Sequence, residues 1–208
     1  MKPIQMKPFS EACERNQSAI AQVLASYFSP TGCSVIELGS GTGQHGVYFA
    51  RTFRHVEWQC TDLPEVLPGI ETWCHEAALD NLPLPKEIDV NTVPEEGLAQ
   101  YDHVFSANTL HFVSASIAGN FFKWAQALLA PDGCFLVYGP FMSGAEYSSE
   151  GDRRLDQWLK QRDPLSGIKS LEWVKRVAGD FGFQLHTIHE MPANNKILVF
   201  GLSVWEND

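Results

Sequence analysis

The chain has 208 residues, 44% apolar and 19% charged, with a net charge of −10 and five cysteines. That composition excludes a disordered chain and leaves room for one α/β core. The acidic balance argues against a phosphate-backbone partner, and no apolar run reaches the ~18 residues that a membrane span needs. Cys13, Cys33, Cys60, Cys74 and Cys134 are scattered and never form C-x-x-C. Their pattern points to reduced thiols in the cytoplasm, with neither a disulfide framework nor a metal site. The first ten residues lack the apolar core of a secretory signal.

Residues 7–28 are expected to form a polar leader followed by an amphipathic helix. Ile20, Val23, Leu24, Tyr27 and Phe28 mark its single apolar face, and Asn16 or Ser18 is its expected cap. The leader 11–16 reads either as a solvated segment or as a lid, with Arg15 or Asn16 reaching a ligand carboxylate. The turn Pro30-Thr31-Gly32 leads into a buried parallel strand at 34–38. That strand breaks into Gly39, Gly41 and Gly43, and residues 44–53 then read as helix. Strand, glycine turn and helix N-terminus describe a nucleotide-binding crevice.

Residues 41–46, G-T-G-Q-H-G, fit the dinucleotide pattern G-x-G-x-x-G, but in the wrong register. Counted from Gly39 at the strand end, the third glycine falls on Gln44. A second strand, 56–61, ends at Asp62. This acidic residue lies about the ~20 residues beyond the glycines at which a carboxylate meets ribose hydroxyls, and it would repel a 2′-phosphate. A helix at 67–79, a proline-rich stop at 82–85 and a short strand at 86–90 follow.

Residues 101–108 read as the fourth strand and 114–130 as a helix capped by Ser114, burying Ile117, Phe121, Trp124 and Leu128. A fifth strand is expected at 134–139. The segment 108–112 leaves the fourth strand at its carboxyl end, where open α/β sheets place their sites. His111 suits a general base there. Residues 141–151 lack any period and make a candidate substrate lid, extending to 170, with Glu146 and Tyr147 able to orient an acceptor. Helices at 152–161 and 171–181 are followed by strands at 183–191 and 197–205, an antiparallel pair.

The pattern E-x-G-x-G-x-G at Glu37, Gly39, Gly41 and Gly43 resembles motif I of class I S-adenosylmethionine (SAM) dependent methyltransferases. The hand-over L-L-A-P-D-G at 128–133 is similar to the turn before the fifth strand of that superfamily, and the closing antiparallel pair is similar to its last strands. The resemblance implies a Rossmann-like, seven-stranded, mostly parallel α/β sheet with an antiparallel last strand and helices on both faces. It implies SAM as cofactor and S-adenosylhomocysteine as product. Its cofactor residues would be Asn16, Glu37, Gly39, Ser40, Gly41, Gly43, His45, Asp62, Leu63, Asp89, Val90 and Asn108, with Asp89 serving the adenine amino group. His111 and Tyr147 are the catalytic candidates, and no metal is implied.

The pieces E-R-N at 14–16, E-L-G-S-G-T-G-Q-H at 37–45, R-D-P at 162–164 with G-I-K at 167–169, and M-P-A-N-N at 191–195 also resemble a narrower group. These are small, uncharacterised methyltransferase-like proteins of bacteria and animals. The expected protein is a single SAM-binding domain over 1–208 that methylates a small molecule, with neither nucleic acid nor membrane as partner. A SAM-binding protein without turnover is the alternative, and an NAD-dependent oxidoreductase is disfavoured.

Overall fold

The computed structural model describes residues 7–144 and 146–202. Its strands form one seven-stranded sheet in the order Lys86–Glu87, Val56–Asp62, Cys33–Leu38, Tyr101–Ala107, Leu129–Pro140, Asn195–Leu202 and Phe183–Glu190. The chain divides into two compact units, residues 1–89 and 90–208. Each contributes part of the sheet and its own helices.

In the first unit α1 (Glu11–Leu24) precedes β1 (Cys33–Leu38), α2 (Gln44–Thr52), β2 (Val56–Asp62), α3 (Leu67–Ala77) and β3 (Lys86–Glu87). β1 pairs in parallel with β2, placing Val35 opposite Trp58 and Glu37 opposite Cys60. The core is Leu24, Ile36, Leu38, Phe49, Trp58 and Ile70, all buried. Phe49 packs on Trp58 with ring centroids 4.9 Å apart, and Phe28 meets Phe53 edge-on at 5.1 Å. The edge-on geometry is one favoured by the ring quadrupole.

Three expectations fail in α1. The cap is Ser10, whose hydroxyl accepts from the Cys13 N–H, and not Asn16 or Ser18. The polar segment 11–16 is therefore helix rather than leader. Glu11, Ala12, Glu14 and Arg15 point to solvent, while Cys13, Asn16 and Gln17 continue the inner stripe of Ile20, Ala21 and Leu24. Glu11 and Glu14 in the first turn suit the positive helix end. The helix also stops at Leu24, four residues short of Phe28. β3 is cut to two residues, pairing only Lys86 with Thr61 and Glu87 with Asp62.

The second unit holds β4 (Tyr101–Ala107), α4 (Ala115–Leu128), β5 (Leu129–Pro140), α5 (Glu150–Arg162), α6 (Leu171–Asp180), β6 (Phe183–Glu190) and β7 (Asn195–Leu202). β4 and β5 are parallel, whereas β7 runs antiparallel to both β5 and β6. Phe122, Phe135, Phe183 and Phe200 form its aromatic core, with Phe122 edge-on to Phe200 at 5.4 Å. Ser114 caps α4 as expected. Ile117 is only half-buried, and Phe122 takes the core position instead.

β5 begins at Leu129, five residues before the expected Cys134. Leu129 pairs with Tyr101, and the register then jumps to Cys134 opposite His103, so residues 130–133 bulge out. A Cβ on Gly133 would meet the Asp102 carbonyl at 2.4 Å, which explains the glycine in that bulge. α5 likewise starts two residues early, at Glu150, because Ser149 caps it through the Asp152 N–H. The expected end of the last strand at 203–205 lies outside the described residues. Among those described, no helix is long and apolar enough to cross a membrane.

Candidate functional site

In the first unit the glycine turn is held open by its neighbours. Gly39, Gly41 and Gly43 have φ of 74°, 58° and 84°, a left-handed region that costs other residues about 1 kcal/mol or more. The N–H groups of Gly39 and Ser40 both donate to the Thr61 carbonyl, at 3.1 and 2.9 Å. The Ser40 hydroxyl accepts from the Thr61 N–H at 3.1 Å, so the turn is stitched to the end of β2. At Gly43 a Cβ would stand 2.9 Å from Ile70 Cγ2, while at Gly41 nothing lies within 4 Å. One side of the turn is therefore packed against α3, and Gly41 faces open space.

Asp62 sits beside that opening. Its Oδ2 accepts from the Gly41 N–H at 2.7 Å and its Oδ1 from the Leu63 N–H at 2.8 Å. Partial burial pushes this carboxyl up, against the pull of those two amides. Each carboxylate oxygen has a second lone pair, so the group is oriented by the backbone and still able to accept from a ligand. Asp89, half-buried, follows β3, where the Ile88 N–H donates to the Asp62 carbonyl at 3.1 Å.

Glu37 is 1% exposed and points inward, toward the β2 side chains on the same face. Trp58 Nε1–H donates to its Oε2 at 3.1 Å, and Cys60 Sγ lies 3.7 Å from the same oxygen. Burial raises its pKa to about 7 despite those bonds. The unfolded chain ionises this group near 4.5, so the folded state loses relative stability as pH rises from there to about 7. The sign is the reverse of a salt-bridged carboxylate. Stability of the wild type relative to Glu37→Gln is expected to fall by about 3 kcal/mol across that window. Urea midpoints of both proteins between pH 4.5 and 7.5 check this, and parallel curves would contradict it.

Asn16 and His45 are brought together. His45 Nε2 lies 2.7 Å from Asn16 Oδ1, an acceptor, which places the ring proton on Nε2. Nδ1 then faces Cys13 Sγ at 4.0 Å, and the ring stacks on Phe49 at 5.3 Å. Burial lowers the pKa of His45 to about 4, so the imidazole is neutral at physiological pH. Arg15, the other lid candidate, is exposed and pairs with Glu11 at 3.2 Å. The chain ahead of α1 is strapped to the same region: the Ser10 N–H donates to Gln44 Oε1, and Trp73 Nε1–H donates to the Pro8 carbonyl at 2.8 Å.

Gly46, the last residue of the G-T-G-Q-H-G run, lies against β2. A Cβ there would stand 2.2 Å from Cys60 Sγ and 3.3 Å from Trp58 Cδ1. Glycine at this point lets α2 lie directly on β2, which sets the helix N-terminus over the strand end.

In the second unit Asn108 adopts φ 55°, and its N–H donates to the Tyr138 carbonyl at 2.9 Å. The chain then turns, with the Phe112 N–H donating to the Thr109 carbonyl. His111 is 6% exposed, with its ring 4.6 Å from that of Phe112, which is 47% exposed. Burial first, and then the Lys169 charge, lower its pKa to about 4. Tyr147 does not stand free. Its hydroxyl donates to Asp156 Oδ2 at 2.7 Å, and this bond raises its pKa. Asp156 also accepts from Lys160 Nζ at 2.6 Å and from the Ile168 N–H at 2.7 Å. Among the described residues, no group of three or more His, Cys, Asp or Glu is placed to hold a metal ion.

Solved methyltransferases share this fold. An O-methyltransferase family protein from Burkholderia thailandensis matches with a TM-score of 0.76 and 19% identity, over 94% of this chain and 59% of that one. The mitomycin 7-O-methyltransferase MmcR matches with a TM-score of 0.75 and 15% identity, over 90% of this chain and 54% of that one. NcsB1, an O-methyltransferase from neocarzinostatin biosynthesis solved with SAM and 2-hydroxy-5-methyl naphthoic acid, matches with a TM-score of 0.72 and 14% identity. It is matched over 92% of this chain and 54% of its own length. The chain thus spans a little over half the length of these proteins, and identities this low speak for the fold alone. The profile of DUF938, a family described as a protein of unknown function, covers residues 7–201. With nearly its full length matched, the chain belongs to the DUF938 family, on a Rossmann-like fold shared with SAM-dependent O-methyltransferases.

Proposed function

We propose that the protein binds SAM at the glycine turn of its first unit and transfers the methyl group to a small-molecule acceptor, releasing S-adenosylhomocysteine. The observation that carries this reading is the pairing of Gly41 with Asp62. An oriented carboxylate lies beside a glycine that opens to free space, at the sequence distance suited to ribose hydroxyls. Asn16, Glu37, Ser40, His45, Leu63, Asp89, Val90 and Asn108 complete the proposed cofactor set. Glu37 and His45 act in it through the turn and through Asn16, since both side chains are buried. The proposed acceptor is neither nucleic acid nor lipid surface, in keeping with the charge of −10, and the proposed location is the cytoplasm.

The chemistry asks little of the protein. A sulfonium methyl is already activated, so alignment of an incoming lone pair is the main task, worth roughly 7–11 kcal/mol. A general base adds only ~10²–10⁴-fold. His111, uncharged at neutral pH, is the proposed proton acceptor. Tyr147 is the proposed orienting group, held by Asp156. An NAD-dependent reaction is the rival that one observation favours: Gly46 packs α2 on β2 as the third glycine of a dinucleotide fingerprint does. The register from Gly39 and the antiparallel β7 weigh against it.

Tritium transfer from methyl-labelled SAM into cell extract tests turnover. His111→Ala and Tyr147→Phe are expected to lower transfer at least tenfold while leaving SAM affinity within about twofold. If no labelled product forms under several growth conditions although SAM binds, the protein is a SAM binder without turnover.

A further inference from the structure

The segment G-I-K at 167–169 carries a lysine that the cofactor site does not use. Lys169 is half-buried, and its Nζ donates to two main-chain carbonyls, Val113 and Gly167, each at 2.8 Å. The Gly167 N–H in turn donates to the His111 carbonyl at 2.9 Å. These three bonds close a ring that locks the 111–113 turn to the 167–169 segment. That segment is itself pinned from the other side, because Asp156 Oδ1 accepts from the Ile168 N–H at 2.7 Å. Gly167 has φ +136°, and a Cβ there would stand 2.7 Å from Asp156 Oδ1, so the pin tolerates no other residue easily.

Two neutral donors would satisfy the same two carbonyls without burying a charge. Burial of an ammonium is costly enough that Lys169 is pulled down to about 8. Asp156 and Asp163 support its charge, and Lys160 opposes it. Around His111 itself, β5 presents Gly139, which has no side chain, and the turn presents Phe112. On α5, Arg162 lies over Trp158, whose ring meets that of Phe112 edge-on at 6.3 Å. The charge that acts on the imidazole is that of Lys169.

We propose that Lys169 is a positioning residue for His111: its ammonium fixes the 111–113 turn through the Val113 and Gly167 carbonyls and sets a positive charge that acts on the imidazole. The proton-accepting role rests on the methyl transfer proposed above, whereas the charge effect on His111 does not. Lys169 touches neither cofactor nor acceptor in this scheme and acts only through His111.

Histidine ring NMR titrations of the full chain test it, with His111→Ala used to assign the resonance. In the wild type His111 stays neutral down to about pH 4. In Lys169→Met its midpoint is expected to rise by about half a pH unit or more, yet to stay below the ordinary 6.5, because burial is the larger cause. Lys169→Arg is expected to keep the wild-type midpoint. If Lys169→Met fails to fold, Lys169→Gln carries the same comparison. An unchanged midpoint in the neutral variant overturns the proposal, as does an equal rise in Lys169→Arg, which would mark a packing role only. A shifted midpoint in a protein that never transfers a methyl group overturns the enzyme reading and leaves the charge effect standing.

Discussion

Gly46→Ala is expected to destabilise the protein by about 1–3 kcal/mol, although alanine is the better helix former by about 1 kcal/mol. The added methyl group would need to occupy space 2.2 Å from Cys60 Sγ, and Cys60 is wholly buried. α2 would have to lift from β2, which also moves its N-terminus relative to the glycine turn. Gly46→Val should be worse and leave little folded protein. The cause is specific, so it has a specific remedy. In the background of Cys60→Ala, which removes the obstructing sulfur, the cost of Gly46→Ala should shrink by at least half. Melting temperatures of the four proteins of the cycle decide the matter, at roughly 2–4 °C per kcal/mol for a chain of this size. Equal costs in both backgrounds would mean that the helix does not lie where the contact requires.

Asp62→Ala is expected to weaken SAM binding at least tenfold, and to lower stability as well. In the free protein the carboxylate is the acceptor for the Gly41 and Leu63 N–H groups, so alanine leaves two backbone donors of the turn to water. Toward the ligand it removes charge-assisted bonds worth ~1.5–3 kcal/mol each, and ~1.4 kcal/mol is a tenfold change. Asp62→Asn separates the two effects. One amide oxygen still accepts from the backbone, so the fold should hold, while the lost charge should still cost affinity. Calorimetry at fixed pH measures both variants, and wild-type affinity in Asp62→Ala would remove Asp62 from the site.

The residues that were legible in the sequence are those whose signal is local. β1, α2, β2 and β4 fall within a residue or so of expectation, and for β1 and β2 the apolar run is closed by Gly39 and Asp62. The glycine turn and Asp62 were legible for the same reason, since their spacing along one βαβ unit fixes their meeting. α1 was misread at its start because Cys13 and Asn16 occupy its inner stripe, where a periodicity search looks for apolar side chains. The bulge at 130–133 depends on the pairing partner of Leu129, which no local pattern encodes.

The side-chain partnerships were not legible. Asn16 meets His45 across 29 positions, Trp58 meets Glu37 across 21, and Lys169 reaches Val113 across 56. Each depends on how elements pack, and none has a spacing of its own. The sequence marked Gly46 only as part of a pattern in the wrong register. The close approach of Cys60 shows that glycine is needed there for packing, independently of any ligand.

Calorimetric titration of the protein with SAM, S-adenosylhomocysteine and NAD tests the cofactor assignment most directly, because it needs no knowledge of the acceptor. Micromolar or tighter binding of SAM and S-adenosylhomocysteine, with NAD far weaker, is the expected result. Binding of NAD tighter than of SAM would contradict the account.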